Sequence, residues 1–146
     1  MQSIATIGNA TLIAYENFVP ILSTDPWFGD EDDAYFGSWT LSHEIPEKYK
    51  KDILNSRYLW FSHGHPDHLN PNSLKRFEGK KLLLPDHVGS RIYDDLKNKD
   101  FAIKVLPDRK WVDLTSNIRV MCITTIMQDS ILLLSIGKKL FVNLND

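Results

Sequence analysis

The chain has 146 residues, 42% of them hydrophobic and 25% charged, with a formal net charge of −2. This is the composition of an ordinary globular domain long enough to bury a core, and it excludes the broad basic field of a nucleic-acid binder. No apolar run approaches the ~20 residues of a membrane span, and Met1-Gln2-Ser3-Ile4 lacks the basic and apolar regions of a secretory signal. The single cysteine, Cys122, sits in an apolar run and reads as a buried strand residue of a soluble chain in a reducing, cytoplasmic compartment.

Residues 4–16 predict two strands broken at the Gly8-Asn9 turn pair, and residues 19–23 a third that ends at Thr24-Asp25-Pro26. Connections this short force an antiparallel meander. Asp25 is expected to shape the Asp-Pro turn. Residues 25–45 are long and irregular, with Trp27, Phe28, Tyr35, Phe36 and Trp39 beside the acidic run Asp30-Glu31-Asp32-Asp33. Two readings stand side by side. One is a substrate-covering loop with Trp27, Phe28 and Trp39 as pocket walls; the other is an aromatic satellite core under a solvated acidic face. His43 reads as a surface histidine.

A short amphipathic helix is predicted over 46–54, with proline at its start, and a buried strand over 57–61. Residues 70–77 predict a capped short helix, 81–85 a second buried strand, and 89–98 a helix with Ile92, Leu96 and part of Tyr93 inward. Strand–helix–strand–helix–strand order is the pattern of a parallel sheet. His87 follows the strand at 81–85, at the end where α/β folds bind ligands, and reads as a pocket candidate or a helix-capping surface residue. From residue 101 onward all is strand: 101–106, 111–114, 118–123, 131–136 and 140–144, the last two joined at Gly137-Lys138 as a tight hairpin.

The chemistry concentrates in Ser62-His63-Gly64-His65-Pro66-Asp67-His68-Leu69, directly after the strand at 57–61. On an extended backbone, residues two apart face the same side, so His63 and His65 can bind one metal ion together. Gly64 leaves the site uncrowded, and Pro66 turns the chain so that Asp67 and His68 can face a second ion. Imidazole nitrogen and carboxylate oxygen are ligands preferred by zinc, with manganese and iron also compatible. The plain alternative is an exposed His-rich turn. A catalytic zinc takes three protein ligands, however, and this segment supplies most of them.

His63-x-His65-x-Asp67-His68 after a hydrophobic strand resembles the signature of the metallo-β-lactamase-fold hydrolases. Ser23-Thr24-Asp25-Pro26-Trp27-Phe28 and Tyr35-Phe36-Gly37-Ser38-Trp39 resemble the branch holding the hydrolase-like domain of CMP-N-acetylneuraminate hydroxylases and the L-ascorbate-6-phosphate lactonases. The resemblance implies an α/β (α+β) fold: a mixed β-sheet with helices on one face, the first half of an αββα sandwich, with one or two zinc-type metals at the sheet edge. It implies a metal-dependent hydrolase of a small-molecule substrate, metal-activated water attacking a carbonyl or phosphoryl centre. His63, His65 and His68 would be ligands, and Asp67 both a ligand and the group that orients the water. Asp146 would be the aspartate that closes a late strand and bridges two metals.

The chain departs from that pattern twice. Between Asn117 and Ile131, where the family places a histidine, it has Thr124, Thr125, Met127, Gln128 and Asp129, so Gln128 or Asp129 would have to supply an oxygen instead. The family's last histidine, beyond the bridging aspartate, has no counterpart. Residues 1–146 are therefore expected to form a single, C-terminally incomplete domain with one open apolar β face, and two copies are expected to pack face to face as a homodimer. The alternative is a non-catalytic metal-binding or interaction half-domain without a complete site.

Overall fold

The computed structural model describes residues 1–29 and 32–145; Asp30, Glu31 and Asp146 lie outside the described residues. Three strands open the chain as the expected meander: β1 (Gln2–Gly8), β2 (Thr11–Glu16) and β3 (Val19–Thr24), each antiparallel to the next. β4 (Tyr58–Trp60), β5 (Lys81–Pro85) and β6 (Ala102–Leu106) then add in parallel, so the six strands lie side by side in sequence order. Every parallel step needs a crossover. The chain supplies α1 (Glu47–Asn55), α2 (Pro71–Leu74), which a 3-10 turn extends over Lys75–Phe77, and α3 (Arg91–Asn98).

The remaining strands do not join this sheet. β7 (Trp111–Asp113), β8 (Ile118–Thr124), β9 (Ser130–Ile136) and β10 (Lys139–Asn143) form a second, fully antiparallel sheet in the order β10-β9-β8-β7. The expectation of a single mixed sheet is thus refined. Both sheets of a sandwich are present, with one helical layer on the outside of the first.

Alternation along the strands explains the layering. In β4, Leu59 faces the helices and packs with Ile13, Ile53, Phe61, Phe77, Leu82 and Leu96. Its neighbours Tyr58 and Trp60, with Leu83 and Leu106 of the same sheet, face the second sheet and cluster with its Val120, Cys122, Leu132 and Leu134. The central parallel strands are covered on both faces, which is why they read as unbroken apolar runs. The second sheet alternates cleanly: β8 and β9 bury Ile118, Val120, Cys122, Leu132, Leu134 and Ile136. Its outer face instead leaves Trp111, Leu140 and Val142 exposed.

The first part of the long crossover, residues 25–29 with Asp32 and Ala34, is packed down, whereas residues 36–40 and 42–44 are exposed. Asp32 is only 3% exposed. Its carboxylate accepts from Ser73 Oγ at 2.9 Å and pairs with Arg76 at 3.1 Å, and its carbonyl accepts from Trp27 Nε1 at 2.6 Å and Asn70 Nδ2 at 2.8 Å. At Asp32, then, the expected solvated acidic face is wrong, because α2 and its 3-10 extension supply the donors that let a carboxylate be buried.

Candidate metal centre at the carboxyl end of the parallel strands

β3 and β4 end side by side, and the loops that leave them carry the polar groups. Asp25 follows β3, and Ser62 stands two residues beyond β4. The Ser62 N–H donates to Asp25 Oδ1 at 2.7 Å, and the Asp25 N–H donates to the Trp60 carbonyl at 2.7 Å. Asp25 does more than turn the chain. It is 1% exposed, and its second oxygen lies 3.3 Å from His68 Nδ1.

After Ser62 the chain turns through Gly64 and Pro66. A β-carbon at Gly64 would come within 2.9 Å of the Ile92 tip on α3, so the bare backbone lets α3 sit close. His68 N–H and Leu69 N–H both donate to the His65 carbonyl, which rolls the segment into one turn. Asn70 closes it: its Oδ1 caps α2 through the N–H groups of Asn72 and Ser73, and its Nδ2 donates to the Pro66 carbonyl at 2.9 Å.

The four candidate ligands meet in two pairs. His63 Nε2 and His65 Nδ1 are 2.7 Å apart, a direct hydrogen bond between the rings. His68 Nε2 and Asp67 Oδ2 are 3.4 Å apart. The pairs touch, since the His63 and His68 ring centroids are separated by 4.2 Å. Two donors on one tetrahedral zinc, each about 2.0–2.2 Å from the ion, lie about 3.4 Å from each other. The His68–Asp67 spacing fits that bite; the His63–His65 spacing is shorter and belongs to the rings bonding each other. His68 Nδ1 faces the Asp25 carboxylate, the outward partner that a metal-binding histidine needs to fix its ring. In donor type and outer support the residues fit a metal. Among the described residues, however, no three His, Cys, Asp or Glu groups surround a common point. Each pair falls short of a catalytic set. Asp146, the expected bridging ligand, lies outside the described residues.

Other elements reach the same spot. Asp67 Oδ1 accepts from the Tyr35 hydroxyl at 3.1 Å and Oδ2 from Asn9 Nδ2 at 3.3 Å, so its carboxylate is aimed by the first hairpin and the long crossover together. Tyr35 and Phe36 hold left-handed backbone, φ 50° and 59°, which costs about 1 kcal/mol or more for each residue with a β-carbon. From the second sheet, Asp129 Oδ1 lies 3.4 Å from His63 Nδ1, and Ser130 Oγ donates to the Ser62 carbonyl at 2.6 Å. Asn145 Nδ2 donates to Asp129 Oδ1 at 3.0 Å, which brings the segment after β10 to the site as well.

His63 and His65 open onto a cleft of about 1350 Å³ that runs towards α3, with His87, Arg91, Gln128 and Asp129 among its walls. His87 Nε2 is 3.0 Å from the Asp129 carbonyl, so it stands at the rim, one residue away from the histidine pair. The three aromatic candidates part company. Trp27 and Phe28 are 3% and 5% exposed, and Phe28 stacks on Phe77 with ring centroids 5.8 Å apart; both are core, a correction to their reading as pocket walls. Trp39 is exposed and packs edge-on against Tyr35, which makes it a neighbour of the site. Tyr35, Asn9 and Ser62 were not singled out by the sequence. A tyrosine in an aromatic loop, an asparagine in a turn and a serine beside a motif give no signal of their own.

This architecture is a metallo-β-lactamase-like fold, and the solved structures it is similar to include hydrolases. Over 97% of its length the chain superposes on an isothiocyanate hydrolase from Delia radicum gut bacteria (TM-score 0.64, 15% identity, 61% of that chain covered). A possible metal-dependent hydrolase from Veillonella parvula gives the same TM-score, 0.64, at 12% identity, with 99% of this chain and 62% of the other covered. In sequence, the chain is 28% identical over 103 residues to the cytidine monophosphate-N-acetylneuraminic acid hydroxylase of Gorilla gorilla gorilla, a stretch that is 66% of this chain and 17% of that protein. It thus spans about a sixth of that relative and about three fifths of the solved structures. No protein-family model matches the chain.

Proposed function

We propose that this chain carries the metal-binding half of a hydrolase that acts on a small molecule. The observation that carries the reading is the His68–Asp67 pair at 3.4 Å, backed by the buried Asp25 carboxylate on the far side of the His68 ring. His68 and Asp67 would hold one ion, and His63 and His65 a second once their mutual hydrogen bond opens, with Asp146 as the expected further ligand. Zinc is the ion this donor set favours, with manganese or iron as substitutes. A bound ion of this kind supplies Lewis acidity at neutral pH. Asp67, fixed by Tyr35 and Asn9, keeps a carboxylate oriented to hold and accept the proton of the attacking water. The cleft beyond His65 takes the substrate, and its rim is set by His87 and Asp129.

The test is turnover of a generic ester, lactone and phosphodiester after loading with zinc or manganese. Asp67→Ala is expected to lower kcat/KM by about 10²–10⁴-fold. A second reading follows from the absence, among the described residues, of any three ligands about one point. On it the chain binds metal without catalysis, and metal retention with no turnover of any of the three substrates would decide for it.

The apolar outer face of the second sheet belongs to the same reading. We place a second copy of the chain there, face to face. The face measures roughly 300 Å² in projection, from strands about 4.8 Å apart and about five residues long, against about 800 Å² per partner in a standard interface. The pair is therefore a weak, reversible one.

A further inference from the structure

Ser62 is fully buried and takes no direct part in either candidate ligand pair, yet it touches both. Its Oγ lies 2.9 Å from His63 Nδ1 and 3.4 Å from His68 Nδ1. Its backbone is clamped on both sides, N–H to Asp25 Oδ1 and carbonyl to Ser130 Oγ, so the hydroxyl cannot drift. Acceptor-only groups surround the same two nitrogens: Asp25 Oδ2 at 3.3 Å from His68 Nδ1, and Asp129 Oδ1 at 3.4 Å from His63 Nδ1. A nitrogen that faces a carboxylate is the one that carries the proton. Both rings are therefore steered to the Nδ1–H form, and both Nε2 lone pairs are turned towards the ligand side.

We propose that Ser62 is a positioning residue that couples the two ligand pairs, its one hydroxyl bridging the outward nitrogens of a histidine from each. Asp25 and Asp129, approaching from β3 and from the β8–β9 hairpin, complete the clamp. The consequence is that the pairs are not independent: fixing one ring through Ser62 fixes the other. This rests on the metal reading above for its purpose, but the hydroxyl's effect on the rings can be read without metal.

The experiment compares the wild-type chain with Ser62→Ala, labelled with 15N-histidine, using long-range proton–nitrogen correlations in metal-free protein, followed by zinc affinity from chelator competition. The expected result is Nδ1–H tautomers for His63 and His68 in the wild type. In Ser62→Ala, a mixture of tautomers should appear at His63, and zinc should bind about 10–100-fold more weakly. Asp67→Ala, which removes a ligand but not the clamp, should weaken zinc binding and leave the tautomer of His63 as it was. Should Ser62→Ala misfold, Asp129→Asn, on a half-exposed side chain, replaces it and should shift the His63 tautomer and, through Ser62, that of His68. Unchanged tautomers together with zinc affinity within twofold would overturn the role of Ser62. A wild type that binds no zinc, but whose His63 tautomer still depends on Ser62, would support the clamp and overturn the metal reading instead.

Discussion

Cys122 shows how far burial alone reaches. It lies in β8 between the sheets, and burial pushes its thiol up to about 12. At pH 8 the thiolate is then about one part in 10⁴, so labelling by a disulfide reagent should be far slower in the native chain than in denaturant. Equal rates in the two states would show that the sandwich opens freely. Asp108, in the turn after β6, is only partly covered. The Thr124 N–H donates to it at 2.7 Å and the Thr124 hydroxyl at 3.0 Å, and these bonds, with Arg109 beside it, hold its carboxyl below the ordinary carboxylate value. A folded pKa below the unfolded one means a stabilising contribution that is complete above the ordinary value and is lost as pH falls through the folded one. Wild type should therefore begin to lose its stability advantage over Asp108→Ala as pH falls below the ordinary carboxylate value of about 4, read from urea midpoints at successively lower pH. A constant difference would assign the residue a role other than its charge.

Among the elements, α2 and the loop before it matter most to the site, because one side chain serves both. Asn70 caps α2 with its oxygen and, with its amide nitrogen, ties the Pro66 carbonyl and the Asp32 carbonyl. Asn70→Ala should cost about 1–2 kcal/mol, lowering Tm by roughly 2–8 °C for a chain of this size, and should loosen Asp67 and His68 with it. Asn70→Ser, which keeps the cap but not the two amide bonds, should recover part of the stability and little of the metal affinity; full recovery of both would reduce Asn70 to a helix cap. These relations also mark what could be read from sequence. The strands at 81–85 and 118–123, the proline start of α1 and the asparagine cap of α2 follow from local rules of period and turn chemistry, and so do His63, His65, Asp67 and His68 as a group. Asp25 does not: an aspartate before proline looks the same whether it turns the chain or holds a histidine. What decides it is Ser62, 37 residues away, and His68 beyond that. Trp27 and Phe28 failed for the matching reason, since pocket walls and core draw on the same residues.

For the molecule as a whole, two sheets and one helical layer leave Trp111, Leu140 and Val142 exposed on the outer face of the second sheet among the described residues. Sedimentation at increasing concentration should show reversible association, reduced by Leu140→Lys with Val142→Lys, both on exposed positions of β10. A monomer at all concentrations up to about 100 µM would overturn the face-to-face pair. The same outward strand has an inward task. Asn143 on β10 donates from Nδ2 to the Ala10 carbonyl at 3.1 Å and to Thr24 Oγ1 at 2.9 Å, joining the second sheet to the first hairpin and to the end of β3.

That tie has a consequence in time. Synthesis runs from the amino end, so the first sheet, with its histidine loop, emerges while β9 and β10 are still unmade. Until they arrive, Tyr58, Trp60 and Leu83 lack the cover of Leu132, Leu134 and Ile136, and Ser130, Asn143 and Asn145 cannot yet hold the loops in place. The nascent chain then displays a partly covered apolar sheet beside an unfinished site. Although its histidines lie at 63–68, the centre is complete only once Ser130, Asn143 and Asn145 have been made.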